Sequence, residues 1–268
     1  MSEQKIVLLT GATGGIGKAI IQHLKKKNYK IYGTSRKKII SSDFIPMQMD
    51  LSDSRSIKNC VNDIIRDEGR IDILINNAGI GITGSIEETH INDVKKVFQI
   101  NFFGMIELIQ QVLPYMRNQQ QGLIINISSI AGFTGLPFRG IYAATKSAVM
   151  RMTEALSAET KSFGVKVVDI APGDIKTNIA EGRIYTQLNK TSPYFHDYKR
   201  VLKMIDDEVD NGLSPSVLGD KTEKIISKKH PKLRYNTGLL LQRLTPYLAT
   251  CLSGRFFEKL IRKHYKMK

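Results

Sequence analysis

The sequence predicts an α/β protein built on a doubly wound parallel sheet, and three observations predict it. Short apolar or β-branched runs alternate with helix-length segments along the chain. The first such run ends directly in a glycine-rich turn, Thr10-Gly11-Ala12-Thr13-Gly14-Gly15-Ile16-Gly17. No internal repeat or low-complexity stretch interrupts the alternation.

Taken in order, the strand signals are Ile6 to Leu9, Lys30 to Thr34, Pro46 to Met49, Ile71 to Ile75, Leu123 to Ile127 and Val165 to Ile170. Between them, Ile16 to Lys27, Ser54 to Glu68, Ile91 to Asn118 and Ile141 to Phe163 are long enough for helices. Strand, helix, strand repeated in this way implies right-handed crossovers, with ligand bound at the carboxyl ends of the strands. The 268 residues suit one large domain, 1–268, with a loop at 178–213 and a basic helical extension at 234–268.

The N-terminus runs into its first strand within a few residues, which leaves no room for a secretory signal, so a cytoplasmic protein is expected. Cys60 and Cys251 match no redox or metal spacing, and the five histidines are scattered, so neither a disulfide nor a metal site is expected. The net charge of +15 is concentrated at the C-terminal end, where residues 221–268 hold 13 Lys and Arg against 2 Glu. Such an end seeks anionic surfaces, or is simply solvated. Its apolar stretch from Leu239 to Leu252 contains Arg243 and Pro246 and is too short to span a bilayer, but it can lie on one. Few aromatics and no recognised module speak against nucleic acid.

In the glycine-rich turn, Gly11 permits a tight turn, Gly15 lets backbone approach a pyrophosphate and Gly17 lets the helix pack closely, while the helix N-terminus offers free N–H groups. In dinucleotide folds an acid about 20 positions later binds the ribose 2′-hydroxyl of NAD, whereas arginine accommodates the 2′-phosphate of NADP. Ser35-Arg36-Lys37-Lys38 stands at that place, which favours NADP(H) as cofactor. Tyr142 and Lys146 are four residues apart on a predicted helix and share a face. A phenol with an ammonium beside it exchanges protons more readily than a free phenol, which fits the pair for general acid–base work on a carbonyl.

These motifs, in order from Thr10 to Thr177, resemble the short-chain dehydrogenase/reductase family, whose fold is a Rossmann-type sheet. The resemblance implies a site for the cofactor at Gly11, Thr13, Gly15, Ile16 and Gly17, with Ser35, Arg36 and Lys37 beyond them. Asp50 and Leu51 correspond to the adenine contact, and Asn76-Asn77-Ala78-Gly79 to a segment lining the cofactor. Pro172, Gly173, Ile175 and Thr177 correspond to the stretch beside the nicotinamide. Ser129, Tyr142 and Lys146 take the catalytic positions, with Asn101 as the helix asparagine that bends its helix around a proton-relaying water. Tyr142 and Lys146 also face the cofactor; Ser129, Phe138 and Tyr142 face the substrate.

The resemblance therefore implies hydride transfer between a ketone or aldehyde and an alcohol. The expected pocket wall, drawn from 131–141 and 178–213, includes Phe133, Leu136, Pro137, Phe138, Ile184, Tyr185, Leu188, Tyr194, Phe195 and Met204, and suits a lipophilic ketone or alcohol better than a sugar. The extension beyond Lys221, with Arg234-Tyr235 followed by two basic helical segments, is similar to family members that act on steroids, retinoids or acyl lipids. Its helices imply a homodimer or homotetramer. Thr13 and Gly14 replace frequent serines of the glycine turn without touching the chemistry. A catalytically silent NADP-binding regulator, or an enzyme for small polar carbonyls, is the alternative reading.

Overall fold

The structure, a computed structural model, describes residues 4–177 and 182–267. Nine strands and nine α-helices are seen among them. Seven strands form one parallel sheet: β1 (Lys5–Leu9), β2 (Tyr29–Ser35), β3 (Ile45–Gln48), β4 (Ile73–Asn76), β6 (Gly122–Ile127), β7 (Val165–Pro172) and β9 (Arg234–Thr237), in spatial order 3-2-1-4-6-7-9. The order reverses between β1 and β4, so the crevice at that switch point opens at their carboxyl ends. A separate two-stranded pair, β5 (Ile82–Thr83) with β8 (Ile184–Tyr185), stands beside it.

Alternation along the strands builds two cores. Ile6, Leu8, Leu74 and Ile124 point to one face and meet α2 (Ser54–Glu68), α4 (Gly104–Asn118) and α5 (Gly140–Glu159). Val7, Leu9, Ile73, Ile75 and Ile125 point to the other, against α1 (Gly15–Leu24) and α7 (Ser216–Ile226). Helix α2 shows how local signals fix an element. The Asp53 side chain caps it by accepting from the Arg55 N–H at 2.9 Å, Ile57, Cys60, Val61 and Ile64 form its buried stripe, and Gly69 at φ 70° ends it. Both cysteines are free; burial, with Asp63 nearby, pushes the Cys60 thiol up to about 12, whereas Cys251 is exposed.

Two regions differ from the sequence reading. The helix expected from Ile91 to Asn118 is interrupted, because α3 (Ile91–Phe98) and α4 are joined by a π-helical turn, Gln99–Phe103. The widened turn carries Asn101, and it delivers Gly104 against Leu51, where a Cβ would come 2.0 Å from the Leu51 carbonyl oxygen. The second difference is at 234–268. Its first four residues are not part of a helical extension but the edge strand β9, paired with β7 from Asp169↔Arg234 to Pro172↔Thr237. Helices α8 (Leu240–Cys251) and α9 (Gly254–His264) follow, and α6 (Phe195–Asp210) occupies the latter part of the 178–213 loop. Residues 178–181 of that loop lie outside the described residues. No helix among the described residues is long and apolar enough to cross a membrane.

Candidate active site

Four loops converge above the switch point, and hydrogen bonds tie the first two together. Thr10, at the end of β1, accepts through Oγ1 from the backbone N–H groups of Asn77 (3.0 Å) and Ala78 (2.9 Å). In return the Asn77 amide donates to the carbonyls of Thr10 (2.9 Å) and Gly11 (3.2 Å). Gly11 has φ 67°, and a Cβ on it would come 3.0 Å from the Ala78 Cα. At Gly17 a Cβ would lie 2.2 Å from the Gly11 oxygen, so the start of α1 and the turn before it can approach only through glycine. Thr177 closes the turn from the opposite side, with its methyl 2.8 Å from where a Gly15 Cβ would stand.

Helix α1 begins with no side-chain cap at Gly14 and no acid in its first turn. Its first N–H groups and the positive end of its dipole therefore face the crevice, next to exposed Thr13 and partly exposed Ile16. This cradle fits a dinucleotide pyrophosphate. At the end of β2, Ser35 is half-buried while Arg36 and Lys37 are exposed. Asp50 lies beyond them and accepts through Oδ1 from Ser52 N (2.8 Å) and Ser52 Oγ (2.6 Å). Burial works to raise its pKa, but the Ser52 bonds and the nearby Arg36 charge outweigh that and hold the carboxyl below its ordinary value. Leu51 sits in the core, so its contribution to an adenine site is its position beside Asp50.

The catalytic candidates lie on three elements. Ser129 follows β6; its Oγ accepts from the Ala131 N–H at 3.2 Å and lies 3.4 Å from the Pro172 carbonyl, the last residue of β7. Tyr142 and Lys146 lie on α5, with the ammonium 5.8 Å from the centre of the phenol ring. Lys146 is 6% exposed, and its Nζ donates to the Ile127 carbonyl at 2.9 Å. Asn101, on the π turn, bonds both backbone groups of Ile80 (Ile80 N–H to Oδ1 at 2.8 Å, Nδ2 to the Ile80 carbonyl at 2.9 Å) and reaches Thr145 Oγ1 at 3.2 Å. Gly79 lies between the two groups, since a Cβ on it would be 3.2 Å from Asn101 Oδ1 and 3.6 Å from Lys146 Nζ. Ser128, the neighbour of Ser129, points away to the Ile170 carbonyl at 3.3 Å. Gly173 and Ile175 continue from β7, the latter bridged to Leu213.

On the substrate side Phe138 is buried against Tyr198, Val201, Ile205 and Tyr265, so it supports the wall from within. One charged residue that the sequence reading missed faces Tyr142 instead, with a polar cluster around it. The Arg139 guanidinium stands 5.7 Å from the Tyr142 ring centre. Burial opposes its charge, but Tyr265, Tyr142, Asp174 and Glu208 around it keep it firmly protonated. Glu208, from α6, bonds His264 of α9 at 2.7 Å; burial, reinforced by Asp174, raises its pKa against the pull of His264 and Arg139. Burial likewise pushes the Tyr265 phenol up to about 12. Residues 139, 174, 208 and 265 are far apart in sequence and share no motif spacing, so only the fold brings them together.

A glycine cradle for a pyrophosphate, a lysine beside a phenol and a serine hydroxyl at the strand ends define a nicotinamide-dependent oxidoreductase. The short chain dehydrogenase family matches residues 5–187, and the chain belongs to it. It is 37% identical to a 3-ketodihydrosphingosine reductase of Bacteroides thetaiotaomicron, over 99% of this chain and 100% of that one. A crystal structure of a short-chain dehydrogenase from Streptomyces avermitilis superposes with a TM-score of 0.85 at 26% identity, covering 98% of this chain and 99% of the other. A structure of ElxO with NADP bound superposes with a TM-score of 0.71 at 25% identity, covering 88% of this chain and 96% of that chain.

Proposed function

We propose that the protein is an NADP(H)-dependent reductase of a lipophilic ketone. The observation that carries the reading is the convergence of Ser129, Tyr142 and Lys146 above the switch point, with Arg36 rather than an acid after β2. A nicotinamide cofactor held by the glycine turn would supply the hydride. Ser129 Oγ, held by the Ala131 N–H, orients the substrate oxygen and stabilises the negative charge that develops on it. Tyr142 Oη gives that oxygen its proton. Lys146, bonded to the Ile127 carbonyl and standing beside the phenol, would hold the ribose of a bound cofactor; Asn101 holds the adjoining Ile80 and Thr145 in place. Running backwards, the same groups take a proton from an alcohol.

The reductase from Bacteroides thetaiotaomicron, matched over its whole length, supports a long-chain ketone as substrate. The apolar side chains that pack around Phe138, among them Leu188, Leu202 and Met204, support an apolar body for the substrate against the 178–213 wall.

The reading is tested by following NADPH oxidation against ketones graded from short and polar to long-chain, including a long-chain 2-amino ketone. Turnover that rises with chain length supports it; preference for the shortest ketones overturns the lipophilic part. The cofactor part is tested separately. Arg36→Asp is expected to raise the KM for NADPH by roughly 10- to 100-fold, the worth of one charge-assisted contact, and to leave the KM for NADH nearly unchanged. Equal use of NADH and NADPH by the unaltered protein would remove the basis for NADP.

A further inference from the structure

Helix α8 turns its apolar side outward. Leu240, Leu244, Tyr247 and Cys251 follow one another at helical spacing and are all exposed, Leu240 at 72% and Tyr247 at 64%. The half-buried positions are Gln242, Thr245, Pro246, Leu248 and Ala249, and α8 has no fully buried residue at all. A helix that only had to pack on its own domain would show the opposite arrangement. In α9, Phe256 and Leu260 are exposed one turn apart, again with no fully buried residue in the helix. Exposed cations accompany them: Arg243 on α8, then Arg255, Lys259, Arg262 and Lys263 on α9, with Glu258 the single acid of the two helices.

The pair is not a loose tail. The Gln242 amide bonds the Asp174 carboxylate, and its carbonyl oxygen accepts from the Leu239 N–H at 3.1 Å. At the other end His264 bonds Glu208 at 2.7 Å, and Tyr265 is buried in the cluster around Phe138. Both anchors engage acids grouped around Arg139, so the outward apolar face is held in a fixed place on the domain.

We propose that α8 and α9 dock this protein on an anionic lipid bilayer, with the stripe through Leu240, Leu244 and Tyr247 entering the headgroup layer and the cations of α9 pairing with lipid phosphates. Apolar residues bordered by cations are the pattern of a helix that lies in a membrane interface. A second copy of the chain is a poor occupant, because it would set the same cationic helices against each other. Nucleic acid offers phosphates but nothing for the leucines. On the lipophilic-substrate reading, on which this one consequence rests, docking places the protein where such a substrate is dissolved.

The test is co-sedimentation of the whole protein with vesicles of phosphatidylglycerol and phosphatidylcholine in equal parts, and with vesicles of phosphatidylcholine alone; neither needs turnover. The protein is expected to pellet with the first and at least tenfold less with the second. Leu240→Glu/Leu244→Glu/Tyr247→Glu, at an unchanged melting temperature, is expected to lose at least tenfold in partitioning. So is Arg255→Gln/Lys259→Gln/Arg262→Gln/Lys263→Gln, and so is the unaltered protein in about 1 M salt, where charges are screened beyond about 3 Å. No pelleting with the mixed vesicles, or equal pelleting by the leucine–tyrosine variant, overturns the proposal. A dimer that this variant splits into monomers also overturns it, by making a second copy the occupant.

Discussion

Tyr142→Phe is expected to lower kcat for ketone reduction about a thousandfold while leaving the affinity for NADPH unchanged. The substitution keeps the ring and removes only the hydroxyl, so it withdraws the proton donor and little else. Positioned general acids contribute roughly 10²–10⁴-fold, and among the described residues the neighbouring donors are occupied: Ser129 is engaged with Ala131 and Pro172, and Lys146 with the Ile127 carbonyl. Arg139, 5.7 Å from the ring centre, is kept protonated by the acids and phenols around it. Lys146→Met makes the contrast, because on the proposed reading this side chain serves both the phenol and the ribose, and it should lose kcat and cofactor affinity together. The split is read from single-turnover rates and from NADPH fluorescence titration. A Tyr142→Phe protein that keeps a tenth or more of the turnover would transfer the acid's role elsewhere.

Much of this arrangement could be read before any coordinates. Buried parallel strands announce themselves as apolar runs, and Lys5–Leu9, Gly122–Ile127 and Val165–Pro172 lie close to where those runs predict them. The site was legible because its residues stand at fixed offsets on consecutive elements: Ser129 at a strand end, Tyr142 and Lys146 one turn apart. What stayed hidden depends on contacts that leave no period. Strand β9 reads Arg-Tyr-Asn-Thr, with one apolar-bodied residue in four, and it is a strand because the open edge of β7 and the carboxylate of Asp169 are there to receive it. The π turn at Gln99–Phe103 sits inside an unbroken helical pattern; its extra residue lets Asn101 face Ile80 and Thr145. Arg139, Asp174, Glu208 and Tyr265 meet only because α6 and α9 fold over the substrate side.

The edge strand also carries the largest expected effect on stability. Asp169 is fully buried on β7, and its Oδ2 accepts from Arg234 Nε of β9 at 2.6 Å; Arg234 reaches Glu154 at 3.1 Å as well and lies over the Phe133 ring. Arg234→Met would leave that carboxylate buried without its guanidinium partner, and breaking one side of a buried pair costs about 3–5 kcal/mol. Thermal unfolding should fall by roughly 10 °C in a chain of this length. The loss should depend on pH with a definite sign. Burial already raises the Asp169 pKa above its ordinary value, against the lowering pull of Ser128, Arg234 and Lys146, and removing the guanidinium raises it further. An acid whose native pKa exceeds its unfolded one gives most stability when protonated and loses it as pH rises through the native value. The gap between Arg234→Met and the unaltered protein should therefore narrow as the pH is lowered from 8 to 5, that is, over about three units. Asp169→Leu combined with Arg234→Met removes both charges and should recover most of the loss. If Arg234→Met unfolds within about 1 kcal/mol of the unaltered protein, the pair does not hold β9 to the sheet, and the four backbone pairings from Asp169 to Pro172 suffice.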